Sequence, residues 1–201
     1  MGSAGQGLAV AQPERLVGGP CEGCEAVFEH RPATFATPAR IAPAGSAGEP
    51  LSVRGTVRDA QGRPAAGIVV YAYQTDAAGL YPRDDRLSGA ARRHGAYRGF
   101  ATTDAAGTYR FDTIRPGGYP GTSIPQHIHL HVVEPGRCTY YIDDIVFDDD
   151  PRLTGRERQS MVTGRGGPGL VQPVKDGATW KATRDITLGQ GIRDYADCGK
   201  P

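Results

Sequence analysis

No run of apolar residues in the 201-residue chain approaches the ~18 that would mark a membrane-spanning helix. Neither sign of charge dominates: 23 Lys and Arg stand against 22 Asp and Glu, interspersed along the chain. That balance offers no basic surface for nucleic acid and no footprint for an anionic membrane. Met1 to Ala11 is small and polar and has no apolar h-region, so as written it is not expected to act as a signal peptide. An export signal removed upstream stays compatible with it. There is no long repeat and no composition break that would mark a second globular domain. Hydrophobic residues make up only 38%, whereas Gly (29) and Pro (16) are abundant. This is the profile of a β-protein with many turns rather than a helical bundle.

Cysteine is sparse too, with Cys21, Cys24, Cys138 and Cys198. Cys-x-x-Cys alone does not define a zinc site, and the other two cysteines lie far apart in sequence. A redox motif would want a strand-to-helix setting, but this pair follows Gly18-Gly19-Pro20. Structural disulfides in an oxidising, extracytoplasmic compartment are the favoured reading. A four-sulfur zinc site and inert thiols remain the alternatives.

Residues 1–48 have little hydrophobic periodicity and are rich in Ala, Pro and Gly from Pro38 to Pro50. They read as an extended arm that wraps the domain or a partner subunit. Residues 49–201 read as one domain. Leu51–Val57 alternates as a half-buried strand, and Gly67–Gln74 is a β-branched, aromatic run suited to a core strand. Thr75–Arg98 is a long irregular stretch, of the kind that carries function in compact domains. Gly99–Thr103 and Thr108–Ile114 are predicted to form a hairpin around Asp104–Gly107. His127–Glu134 and Thr139–Phe147 follow, joined by Pro135-Gly136. Asp150 with Pro151 predicts a short helix running to Met161, and Trp180–Leu188 a last strand. About seven short strands with Gly/Pro turns predict an all-β fold, an antiparallel sandwich with long loops and one short helix.

The chain's chemistry concentrates at Gly117-Gly118-Tyr119-Pro120 and Gln126-His127-Ile128-His129-Leu130-His131. On a strand, side chains alternate with period two, so His127 and His129 share a face, the common first half of a metal site. A sandwich without catalytic function would leave these histidines and the Pro-Gly-Gly-Tyr turn without a reason. The spacing Gly121, His127-x-His129, Glu134 also fits the opening of a cupin motif, but Tyr141 stands where that motif wants Gly.

Three stretches complete the picture: Gln74-Thr75-Asp76-Ala77-Ala78-Gly79-Leu80-Tyr81, then Tyr109 through Pro120, then Pro125-Gln126-His127-Ile128-His129. In these, over about Leu51–Leu188, the chain resembles the intradiol ring-cleavage dioxygenases, the protocatechuate 3,4-dioxygenase-like family. The resemblance implies that Tyr81, Tyr119, His127 and His129 hold a non-haem Fe(3+), the two tyrosines also acting catalytically. It implies O2 insertion into a catechol between the two hydroxylated carbons, giving a cis,cis-muconate-type diacid. One tyrosinate would yield to the substrate, the natural candidate being Tyr81 on a mobile loop. Two phenolates, two neutral imidazoles and one hydroxide would neutralise the ion, which makes burial tolerable.

Asp76, Gln126 and Asp144 are the candidate substrate-binding residues. Ile124 stands where the family often has an Arg, and Arg83, Arg98 and Arg115 are candidates to replace it. A carboxylate at Asp144 would favour neutral, bulky catechols over acidic ones. His131 is a spare on the strand face, and His30 and His94 read as surface residues. A homo-oligomer is compatible with the arm. An inactive binding module of the same fold is the alternative function.

Overall fold

The computed structural model of the protein describes residues 15–160 and 164–198. Met1–Ala11 and the helix end expected at Met161 lie outside them. In chain order the strands are β1 (Arg15–Leu16), β2 (Ala39–Arg40), β3 (Pro50–Arg58) and β4 (Val69–Tyr73). A four-residue helix, α1 (Ala91–His94), precedes β5 (Arg98–Thr102), β6 (Thr108–Ile114), β7 (His127–Glu134) and β8 (Cys138–Phe147). Then come α2 (Gly155–Ser160), β9 (Leu170–Val171), β10 (Val174–Asp176), β11 (Thr179–Thr183) and β12 (Ile186–Thr187).

The strands form two sheets. One runs β1-β8-β7-β4-β5 with β9 also on β8; the other runs β10-β11-β3-β6-β2 with β12 also on β3. Alternation explains which faces meet. Leu51, Val53, Val57, Tyr109 and Phe111 point inward from the second sheet, against Val70, Ala72, Ile128, Leu130 and Val132 of the first. Each Val, Leu, Ile or Phe of this core fully removed from water contributes about 1.5–3 kcal/mol before entropy is counted. The opposite face of the first sheet carries His127, His129 and His131, one residue out of phase with that core.

The all-β prediction holds, with four corrections. The sheets are mixed rather than antiparallel: β1 and β9 run parallel to β8, β11 and β12 to β3, and β2 to β6. β5 and β6 are not a hairpin. The Asp104–Gly107 turn forms, with the Asp104 carboxylate accepting the Ala106 and Thr108 N–H groups, but it carries the chain between sheets. β5 pairs with β4 and β6 with β3. The turn is local chemistry, whereas pairing was decided by which inward faces complete the core.

The helix after Asp150 starts later than predicted. Thr154 and Glu157 form a capping box: the Thr154 N–H donates to Glu157 Oε2 at 2.8 Å and the Glu157 N–H to Thr154 Oγ1 at 3.3 Å. Asp150 instead accepts the Gln126 and Arg152 N–H groups. The last strand is split at Arg184, which is 1% exposed. Its guanidinium donates to the carbonyls of Gly166, Asp185, Asp143 and Arg165, fixing the Gly-rich loop of residues 164–169. A Cβ at Gly55 would lie 1.9 Å from the Arg184 carbonyl oxygen, so this crossing requires glycine.

The described part of the arm is stitched onto its own domain. β1 and β2 extend one sheet each, and Val17, Ala39 and Ile41 enter the core. Its 3-10 turn (Cys24–Phe28) lies over the outer face of the first sheet, Val27 packing among Tyr71, Tyr73 and Phe100. Arg98 donates to the Ala26 and Glu29 carbonyls at 2.7 Å, and the Glu29 carboxylate accepts the Ala90 and Ala91 N–H groups. Cys21 is bonded to Cys24, and Cys138 to Cys198. The disulfide reading is thereby met and the four-sulfur zinc site set aside.

Candidate metal centre

Three elements bring four side chains to one point. β7 supplies His127 and His129 from adjacent positions of one strand face. The loop after β6 supplies Tyr119 and the loop after β4 supplies Tyr81. The two loops are locked together: the Gly117 N–H donates to the Asp76 carbonyl at 2.7 Å, and Thr75 Oγ1 to the Gly117 carbonyl at 2.8 Å. Gly79, at φ +82°, is required there, since a Cβ would meet the Gly118 oxygen at 2.2 Å. The loop that carries Tyr81 is anchored on both sides. The Asp76 carboxylate accepts the Ala78 and Leu80 N–H groups on one side, and the Ala96 N–H reaches the Pro82 carbonyl on the other.

The four polar tips are nearly in contact. Tyr81 Oη lies 2.6 Å from Tyr119 Oη and 2.9 Å from His129 Nε2. Tyr119 Oη lies 3.1 Å from His127 Nε2 and 3.4 Å from His129 Nε2, and the two Nε2 atoms are 3.2 Å apart. The far side of each ring fixes its tautomer. His127 Nδ1 donates to the Pro125 carbonyl at 2.7 Å, and His129 Nδ1 to Asp144 Oδ1 at 3.0 Å. Both Nε2 atoms thus present bare lone pairs.

Only the two phenols then bring protons, which can fill at most two of these five contacts. The remaining contacts set lone pair against lone pair in a half-buried site, which is unfavourable unless a cation lies among them. Burial drives the Tyr81 phenol far above its ordinary pKa, with its hydrogen bond to Tyr119 adding to it. Burial also raises Tyr119 and lowers His127, where the His129 imidazole reinforces it. Left to themselves the phenols stay neutral. A strongly Lewis-acidic ion is what would displace their protons, so the donor set fits a hard trivalent metal.

Asp144 reaches His129 because of a β-bulge. Ile128 pairs with Ile145 but Leu130 with Ile142, so His129 faces two residues of β8 and Asp144 is turned to its Nδ1. Burial alone would raise this carboxyl, but the His129 imidazole and its hydrogen bond outweigh that and hold it below the usual range. Tyr141 also donates to Asp144 Oδ1, at 2.8 Å. Asp144 therefore orients a ring rather than standing free against a substrate. The other two substrate candidates do not reach the site: Asp76 holds its turn, and Gln126 Oε1 accepts from Arg115 Nε.

A cavity of about 380 Å³ opens on the cluster, with Tyr73, Tyr81, Tyr119 and His129 on its floor. His127 sits behind, 8% exposed. Sequence reasoning missed Tyr73, whose ring stacks on His129 with centroids 4.4 Å apart; it faces His129 across the β4–β7 ladder, a pairing no single strand reveals. It also missed the charged walls. Arg83 pairs with Asp85, Arg98 binds the arm, and Arg115 pairs with Asp149; the arginines that line the cavity are Arg93 and Arg165, with Glu22. Arg165 is set over the Tyr141 ring at 4.5 Å by its bonds to Asp143. Ile124 points elsewhere and is 44% exposed.

His94 is a correction of another kind. It is 4% exposed, not on the surface; Nδ1 meets the Tyr71 hydroxyl at 2.8 Å and its ring stacks on Tyr73 at 3.6 Å. Tyr71, Tyr73 and His131 face it from the sheet, Arg98 and Glu22 approach it, and Arg93 adjoins it in α1. Burial, followed by His129, Arg98 and Arg93, lowers it to about 3, although the Glu22 backbone opposes this. A buried neutral histidine stabilises the fold above its ordinary pKa of 6.5, and the contribution fades as pH falls toward 3. Between pH 7.5 and 4.5 this removes about 2–3 kcal/mol. Urea unfolding across that range is expected to show a shallower acid loss for His94→Gln; an unchanged slope would contradict this.

Comparison with known proteins gives a consistent result. A family model described as "Dioxygenase" matches residues 25–172. The chain is 33% identical over 120 residues to the protocatechuate 3,4-dioxygenase beta chain of Burkholderia cepacia, covering 53% of this chain and 48% of that one. It is 28% identical over 176 residues to a hydroxyquinol 1,2-dioxygenase of Corynebacterium glutamicum, covering 73% and 56% respectively. The chain thus spans about half the length of the curated relatives it matches. Among solved structures it resembles the dioxygenase domain of a dioxygenase–carbohydrate-binding fusion from Streptomyces sp. SirexAA-E. The TM-score is 0.57 at 25% identity, covering 80% of this chain and 96% of that domain.

Proposed function

The chain belongs to the dioxygenase family of intradiol enzymes, and on that premise we propose that it cleaves a catechol ring between its two hydroxylated carbons, using iron(III) and O2. The observation that carries this reading is the meeting of two phenols with two bare imidazole nitrogens, too few protons being present to satisfy them. Tyr81, Tyr119, His127 and His129 would hold the metal. When bound, iron(III) supplies the Lewis acidity that keeps the phenols ionised and makes a bound catecholate carbon reactive toward O2.

The chain's own residues do the rest. A tyrosine oxygen displaced by an incoming catechol, kept basic by burial, can accept one catechol proton at Oη, a general-base role, and a solvent hydroxide the other. Asp144 and the Pro125 carbonyl hold the histidines in the tautomer that leaves Nε2 free. Tyr73 covers one face of His129 and limits water there. Asp144 being engaged by His129 and Tyr141, the cavity does not turn an acidic ring substituent away; Arg93 and Arg165 stand ready for one. The expectation of neutral catechols therefore gives way to a pocket that also admits carboxylated ones. Two disulfides favour an oxidising compartment. No helix among the described residues is long and apolar enough to cross a membrane.

The test is oxygen uptake by the iron-reconstituted protein with catechol and with ring-carboxylated catechols under labelled O2. The expected product is a ring-opened diacid carrying both labelled atoms. Iron-loaded protein that consumes no oxygen with any of them would favour an inactive binding module.

A further inference from the structure

The cavity has a second cluster of donors that the ring-cleavage reading leaves unused. His131 is 1% exposed, and its Nδ1 has no hydrogen-bond partner. A buried ring nitrogen with nothing to bond is a cost that proteins rarely carry without a purpose. One donor nitrogen of this ring and the Sγ atoms of Cys21 and Cys24 all lie within 4.8 Å of one another. Cys21 and His131 both line the cavity, so the group is reachable from solvent.

While the two sulfurs are joined they have no thiolate to offer a metal. Once parted, their geometry suits one. Tetrahedral zinc with Zn–S bonds of about 2.3 Å holds its two sulfurs roughly 3.8 Å apart, within the spread of this cluster. The Cα atoms of Cys21 and Cys24 are 5.7 Å apart, and Gly23 between them, at φ +73°, lets the short loop turn both side chains the same way.

We propose that Cys21, Cys24 and His131 form a second metal site, shut while the cysteines are oxidised and opened by a thiol reductant, which takes a thiophilic ion such as zinc(II). In the opening step a dithiol gives up two electrons and becomes a cyclic disulfide. The Cys21–Cys24 bond breaks, and each Sγ receives one proton from the reductant. Zinc then displaces both protons to solvent, with His131 as the neutral third donor and solvent as the fourth. The other disulfide is shielded from this exchange on one side, because Cys138 is 0% exposed.

The test uses iron-loaded full-length protein, oxidised or treated anaerobically with dithiothreitol and freed of it. Alkylation and mass spectrometry identify which cysteines are reduced. Zinc chloride is then titrated, and both metals are counted by elemental analysis. The expected result is one added zinc per chain after reduction, none before it, and iron unchanged. Cys21→Ser and His131→Gln should each lose the added zinc, with the melting temperature of the oxidised His131→Gln protein confirming that it folds. No added zinc in the reduced wild type, zinc gained only as iron is lost, or retention by both variants would overturn the proposal. The oxidised-versus-reduced comparison needs no variant and decides the matter even where one fails to fold.

Discussion

Tyr119→Phe is expected to lower kcat for ring cleavage by about 10²–10⁴-fold and to change the visible absorption of the iron-loaded protein. The substitution removes one oxygen and little volume. Tyr119 Oη is in reach of Tyr81 Oη, His127 Nε2 and His129 Nε2, so its loss withdraws a donor from the middle of the cluster. It also removes an acceptor for a substrate proton. The proper control is Tyr109→Phe. Tyr109 is fully buried, its hydroxyl donates to the Arg184 carbonyl at 2.6 Å, and it is not among the residues that line the cavity. That change should cost about 1 kcal/mol of stability and leave colour and turnover alone. Loss of turnover in both variants, or in neither, would sink the assignment of Tyr119.

The second large effect concerns stability. Replacing both Cys138 and Cys198 by Ala is expected to cost about 4 kcal/mol, since the bridge closes a loop of 60 residues. Cys138 opens β8, the strand that carries Tyr141 and Asp144, and Cys198 ends the described chain. The bridge thus ties the last segment to the sheet that presents the histidines. Denaturant unfolding of wild type and double variant measures the difference directly. A loss below about 1 kcal/mol would mean that the unfolded chain is already restrained in this region.

Much of this was legible in the residues, and the reasons for what was not are physical. β3 and β4 were readable because alternation and β-branching speak for a single strand. The four candidate metal-binding side chains were readable because their motifs are specific in combination. Pairing was not: the Asp104–Gly107 turn is a strong local signal, yet β5 and β6 part into different sheets. The bulge was hidden as well. Period two puts Tyr141 and Asp143 on one face of β8, whereas the extra residue brings Asp144 there and sends Asp143 to Arg165. Tyr73 and His94 are contacts across elements, which is why one read as plain core and the other as surface. The arginines lining the cavity come from α1 and the Gly-rich loop, positions with no pattern of their own.

The central claim is most directly tested by anomalous diffraction at the iron edge on crystals of the iron-reconstituted protein. The account predicts one strong peak per chain, enclosed by Tyr81 Oη, Tyr119 Oη, His127 Nε2 and His129 Nε2. A peak elsewhere, or none from protein shown by elemental analysis to contain iron, would contradict it.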